Sequence, residues 1–197
     1  MSKSHHSLVY LHGFDSSPAS VKAQQVRAYL GQHYPQVEFI CPQLTNLPEQ
    51  ALSLAEQAVI HALARGAVSV LGSSMGGFYA TYLAEKYRLP AVLINPAVAP
   101  DRLLLRILGP HQHPHSGEWV VLTEQHVAQL RQQEVEISHP ELFRVYLQTG
   151  DEVLDYRLAE KKYAACGLTI QPGGDHSFQR FDTLLAEVME FLLTTRL

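Results

Sequence analysis

The chain has 197 residues, 46% of them apolar and 17% charged. That is a globular composition and excludes a disordered chain, and the length suits little more than one domain. Lys and Arg number 15 against 19 Asp and Glu, a net charge of −4, which excludes the basic footprint of a general nucleic-acid binder and the polybasic segment of a membrane-surface protein.

The opening, Met1-Ser2-Lys3-Ser4-His5-His6-Ser7, leads straight into Leu8-Val9-Tyr10-Leu11. That apolar run is too short for a secretory signal, and no run approaches the roughly 20 residues of a membrane helix. The two cysteines, Cys41 and Cys166, form no C-x-x-C and no zinc pattern. A reducing cytoplasm is the expected setting, with no membrane insertion and no nucleic-acid partner.

Residues 8–11 predict a strand ending at His12-Gly13. Ser17-Pro18 reads as an N-cap and first helical residue, opening a helix to about Tyr34. Residues 37–41 predict a strand ending at Pro42, and Pro48 opens a helix with Ala51, Ala55, Ala58 and Ala62 down one face. A strand over 68–71 ends at Gly72, a helix covers 76–87, and a strand over 91–94 ends at Asn95-Pro96. The stretch that follows, about 97–140, is too long for an ordinary α/β connection. It predicts an insertion over one end of the sheet, with helices near 101–108 and 123–133 and a polar loop between them. A strand over 142–148, a helix over 156–165 and a strand over 168–171 lead to a last helix, in which Phe181, Leu184, Leu185, Val188, Phe191 and Leu192 share a face. Strands alternating with helices predict one α/β domain over 1–197. Its sheet has about six mostly parallel strands with helices on both faces, and the helical insertion follows the fourth strand.

Gly72-Ser73-Ser74-Met75-Gly76 matches G-x-S-x-G between a predicted strand and a predicted helix. In that context the serine sits on a tight, strained turn with its Oγ exposed, and small residues two positions either side let strand and helix approach. A chance Gly-Ser turn is the bland alternative. An activated serine needs donors for the developing oxyanion. Met75 N–H and Phe14 N–H, in the His12-Gly13-Phe14-Asp15 loop, are the candidates. Gly173-Gly174-Asp175-His176 follows the last strand and offers His176 as base, with a helix-starting histidine as the alternative. Asp151, in Thr149-Gly150-Asp151-Glu152, stands at the end of the fifth strand and suits the acid that orients an imidazole. Glu152 and Asp155 are rivals, although Asp155 reads better as a helix N-cap, and Asp101 as a helix-start charge. The order Ser74, Asp151, His176 is that of α/β-hydrolases, and each residue follows a predicted strand.

His12-Gly13-Phe14, Gly72-Ser73-Ser74-Met75-Gly76-Gly77-Phe78, Asn95-Pro96-Ala97, Thr149-Gly150-Asp151-Glu152 and Gly173-Gly174-Asp175-His176-Ser177-Phe178 together resemble the YqiA-like esterases, small bacterial α/β-hydrolases. The resemblance spans nearly the whole chain. It implies a minimal α/β-hydrolase fold without the usual N-terminal antiparallel hairpin. It also implies hydrolysis of carboxylic esters, with acyl-CoA thioesters as further substrates, and the catalytic roles for Ser74, Asp151 and His176. One departure is Asp175, where the family favours asparagine.

The chemistry so read attacks a small-molecule ester or acyl-CoA through Ser74 and calls for no metal or organic cofactor. Amide hydrolysis and a catalytically silent binding protein on the same fold remain open. So does the oligomeric state. Leu103, Leu104, Ile107 and Leu108 in the insertion either line an acyl pocket under a lid or pack the insertion onto the body. His111, His113 and His115 would share one face of a strand and suit zinc, but their Pro-rich context favours a solvated loop. The cysteines are expected to be inert.

Overall fold

The computed structural model describes residues 5–195, so the opening Met1–Ser4 lies outside them. Leu8, Val9, Tyr10 and Leu11 are all buried. A strand apolar on both faces is stable only with a layer over each, and that requirement sets the architecture. Strand β1 (His5–Leu11) lies beside β2 (Val37–Ile40) and β3 (Gly66–Ser73). Beyond β3 come β4 (Ala91–Ile94), then β7 (Phe143–Gln148) and β8 (Gly167–Gln171), with β5 (Gly109–Gln112) and β6 (Trp119–Leu122) forming a separate pair. The main sheet has 6 strands in the order β2-β1-β3-β4-β7-β8, with every neighbouring pair parallel.

Leu8 and Tyr10 of β1 pack with α1 (Val21–His33) and α7 (Leu185–Thr194) on one face. Val9 and Leu11 face the other layer, built from α2 (Pro48–Leu63), α3 (Met75–Tyr87) and α6 (Tyr156–Lys162). Helix α2 starts at Pro48, as the sequence predicts, but its buried stripe is Ala51, Ala55, Val59 and Ala62, with Ala58 only half-buried. The chain leaves β1 for β2 on one side and returns to β3 on the other. The loops after β1 and β3 therefore meet at the switch point where open α/β sheets place their ligands. Among the described residues no helix is long and apolar enough to cross a membrane.

Two local expectations need correction. Helix α1 begins at Val21, with Ser20 and not Ser17 as N-cap residue. Ser17 is spent on a local turn, where its Oγ accepts from Ala19 N–H at 3.2 Å and its carbonyl from Ser20 N–H at 3.0 Å. In the segment after β4, α4 (Pro100–Leu104) is shorter than expected, and the chain continues in tighter turns, Arg106 N–H donating to the Leu103 carbonyl and Ile107 N–H to the Leu104 carbonyl, before Gly109 at φ 114° and Pro110. The stretch between α4 and α5 (Glu124–Gln132) is no plain polar loop: β5 and β6 pair antiparallel there, Gly109 opposite Leu122 and Gln112 opposite Trp119. His111 ties this hairpin to the body through Asp15, Nε2 to Oδ1 at 2.8 Å.

The backbone is tightly packed where β3 turns into α3. A Cβ on Gly72 would overlap the Gly76 carbonyl, and one on Gly76 would overlap the Leu11 carbonyl of β1. Gly31, on the exposed side of α1, has nothing within 4 Å of such a Cβ. Gly76→Ala is therefore expected to lower the melting temperature by roughly 10 °C or to prevent folding, whereas Gly31→Ala should stabilise by about 0.5–1 kcal/mol. Thermal unfolding of the two variants beside wild type checks this.

Candidate active site

Ser74 holds φ 55°, ψ −122°, a region that non-glycine residues avoid. Its own N–H donates to the Ile94 carbonyl at 3.0 Å, and its carbonyl accepts from Ala97 N–H at 3.0 Å, so the turn is clamped to β4 and the chain after it. Ser74 Oγ lies 3.0 Å from His176 Nε2. His176 Nδ1 lies 2.9 and 3.0 Å from the two Asp151 oxygens. A carboxylate only accepts, so Nδ1 is the donor and Nε2 is left to accept from Ser74 Oγ–H.

Asp151 has a nearly buried side chain, 2% exposed. Burial pushes its carboxyl up, but hydrogen bonds from His176 and from the backbone N–H groups of Leu154 and Val153 outweigh that, and the net shift is downward. It therefore stays ionised beneath the imidazole. Glu152 accepts from His176 N–H at 3.0 Å, and Asp155 accepts from Arg157 N–H at 3.1 Å as the N-cap of α6. Neither carboxylate meets the imidazole.

The loop carrying His176 turns on Gly173 and Gly174, at φ 74° and 75°. Two buried amides anchor it, and neither was singled out as functional by the sequence reading. Asn95 Nδ2 donates to the Asp175 and His176 carbonyls at 3.1 and 3.3 Å, while its Oδ1 accepts from Gln148 N–H. Gln148 Oε1 accepts from Asp175 N–H and Gln179 N–H at 3.2 and 2.8 Å. A Cβ on Gly174 would overlap that amide. The only available signal was Asn95 itself, a strand-ending residue inside a recognised motif. Asp175 directs Oδ2 to Gln179 Nε2 at 3.0 Å.

Buried His12 organises the facing loop. Leu44 N–H donates to its Nε2 at 3.0 Å, so Nδ1 carries the proton and donates to the Gly13 carbonyl at 2.9 Å. Burial lowers the imidazole pKa, against the pull of the Gly13 bond, and favours this neutral form. In a trans peptide the C=O and N–H point opposite ways. Holding the Gly13 carbonyl toward His12 thus turns Phe14 N–H outward. Among the described residues neither Phe14 N–H nor Met75 N–H has an acceptor; Met75 directly follows Ser74, and Phe14 follows Gly13, which packs against the Ser74 side chain.

Two cavities share Phe14, Ser74 and His176. One, of about 400 Å³, is lined by Met75, Ala97, Leu103, Leu104, Ile107 and Leu154 among others. Leu108 is not part of that lining and is 38% exposed. Of the three alternating histidines, His111 engages Asp15, and His113 Nδ1 accepts from His115 N–H and Ser116 N–H at 3.2 Å. Among the described residues no three His, Cys, Asp or Glu side chains are grouped to hold a metal. Burial pushes the Cys41 thiol up to about 12 and the Cys166 thiol up to about 11, which keeps both protonated.

This architecture is an α/β-hydrolase fold, shared by solved structures of low identity. Est1E from Butyrivibrio proteoclasticus, solved with ferulic acid bound, superposes with TM-score 0.74 at 16% identity, over 96% of this chain and 89% of that chain. Alpha/beta hydrolase domain-containing protein 10 from mouse gives 0.67 at 15%, over 93% and 88%. The esterase domain of a Rhodothermus marinus protein gives 0.63 at 14%, over 95% and 85%. The chain itself belongs to the uncharacterised protein family UPF0227, whose model matches residues 7–193, the YqiA-like family that its motifs resemble.

The strained φ of Ser74 has a measurable cost. Ser74→Gly should be more stable than Ser74→Ala by about 1–3 kcal/mol, because only glycine accepts φ 55° without strain. Urea unfolding of the two variants measures the difference.

Proposed function

We propose that the protein is a serine hydrolase of carboxylic esters that works through an acyl-enzyme on Ser74. The observation that carries this reading is the single imidazole bridging Ser74 Oγ and the ionised Asp151 carboxylate, at 3.0 and 2.9 Å. His176 Nε2 takes the Ser74 proton as Oγ bonds to the ester carbonyl carbon. The carbonyl oxygen becomes an oxyanion facing the Phe14 and Met75 N–H groups. Asp151 keeps the imidazole in the required tautomer and stabilises the imidazolium. The carbon–oxygen bond to the alcohol then breaks, and His176 returns the proton to the leaving alkoxide. Water, deprotonated by His176, releases the acid and restores Ser74.

Support also comes from the kinship of fold with Est1E and the Rhodothermus esterase domain. The cavity lined by Leu103, Leu104 and Ile107 suits the apolar half of a small ester. The same attack cleaves a thioester, and the family resemblance extends the proposal to acyl-CoA.

Steady-state hydrolysis of short para-nitrophenyl esters tests the proposal. Ser74→Ala should abolish turnover. Asp151→Asn should lower kcat by about four orders of magnitude through the wrong imidazole tautomer. Asp155→Asn should keep wild-type kcat and close to wild-type stability, because asparagine caps a helix about as well as aspartate. Greater damage from Asp155→Asn than from Asp151→Asn would overturn the assignment of the acid.

A further inference from the structure

The second cavity at Ser74, about 440 Å³, differs in chemistry from the first. Its walls carry the polar side chains of Ser16, Ser20 and Gln25 and two cations, Lys22 and Arg180, with no aspartate or glutamate in the lining. Some cations elsewhere in this acidic chain pair with carboxylates, Arg65 with Glu38, Lys86 with Glu56, Arg131 with Asp101 and Lys162 with Glu134. Lys22 Nζ instead donates to a backbone carbonyl, that of Ser177, at 2.7 Å. An ammonium has three donors, so two remain. The Arg180 guanidinium has no hydrogen-bond or ion-pair partner among the described residues. Burial lowers the Lys22 pKa, and Asp175 and Asp151 partly offset that from nearby, but neither lines the cavity. Asp151 is committed to His176, and Asp175 to Gln179.

Two cations therefore line a space that opens onto the reactive serine, and the space on its other border is mainly apolar, with Arg106 and Asp15 as its charged side chains besides His176. We propose that this cation-lined cavity is an anion-selecting subsite, and that the preferred substrate is an ester with one apolar half against Leu103 and Leu104 and one half bearing a carboxylate or phosphate held by Lys22 and Arg180. The inference rests on the esterase reading and names its substrate class. A guanidinium and an ammonium on one anion combine a planar donor fork with a point charge. Discrimination arises because a neutral ester leaves both cations without a counter-charge at the site.

The test compares kcat/KM within two matched pairs. Para-nitrophenyl butyrate and mono-para-nitrophenyl glutarate differ by a carboxylate on the acid side. Phenyl butyrate and the butyrate ester of para-hydroxybenzoate differ by one on the alcohol side. One anionic ester should exceed its neutral partner by roughly tenfold at low salt, and which pair does so assigns the cavity to acid or alcohol. The ratio should fall about fivefold in Arg180→Gln and in Lys22→Gln, recover in Arg180→Lys, and shrink as potassium chloride is added. Hydrolysis of both pairs without an anionic preference, or a preference that these variants leave intact, overturns the subsite while leaving the esterase reading standing. If no ester is hydrolysed, the esterase reading fails, and calorimetric titration decides the subsite separately. Tighter binding of N-butylglutaramate than of N-butylpentanamide, lost in Arg180→Gln, supports it, and equal binding overturns it.

Discussion

The backbone of Ser74, at φ 55° and ψ −122°, is the constraint on which the site depends. A serine does not adopt that conformation by preference. It is imposed because β3 must turn directly into α3 while α3 lies against the end of β1, so closely that Gly76 has no room for a Cβ beside the Leu11 carbonyl. The hydrogen bonds from Ser74 N–H to Ile94 and from Ala97 N–H to Ser74 then lock the turn to β4. A packing requirement between strand and helix thereby lifts one hydroxyl over the sheet edge. The same turn begins a helix with Met75 N–H free, so the proposed nucleophile and the proposed oxyanion donor are products of one local geometry.

The loops that face Ser74 are held by buried amides and an imidazole as well as by packing of Phe14 and Phe178. Asn95 and Gln148, at the ends of adjacent strands β4 and β7, bind the backbone on both sides of His176. His12 does the same for the Gly13–Phe14 peptide. A buried polar group without a partner costs about 1–3 kcal/mol, so these networks hold their loops in one arrangement. The distance from His176 to Ser74 is consequently a property of the sheet.

Much of this is legible in the sequence. The main-sheet strands are short apolar runs stopped by Gly, Pro or Asn, and a parallel sheet buried on both faces produces that pattern. Ser74, Asp151 and His176 stand just past three such runs, which made their order and placement readable from the chain. The hairpin of β5 and β6 was not. Gly109-Pro110-His111-Gln112 has no strand-like composition, and its pairing with Trp119–Leu122 is stabilised by His111 reaching Asp15, 96 residues away. The roles of His12, Asn95 and Gln148 were equally hidden. Asn95 and Gln148 act on the backbone of a loop remote in sequence, Asn95 on residues 80 and 81 positions away, and His12, which holds its neighbour Gly13, is itself fixed by Leu44 N–H 32 positions away; no local spacing encodes these contacts. The start of α1 was misplaced because Ser17-Pro18 carries the same signal for a helix cap as for the turn it actually makes.

The central claim is that Ser74 is an activated nucleophile. Intact mass spectrometry after incubation with a fluorophosphonate, with the adduct mapped by peptide, tests it without any choice of substrate. The account predicts a single adduct on Ser74, absent in Ser74→Ala and much slower to form in His176→Ala. Folded wild-type protein that takes up no adduct, or takes it up at another residue, would contradict the account.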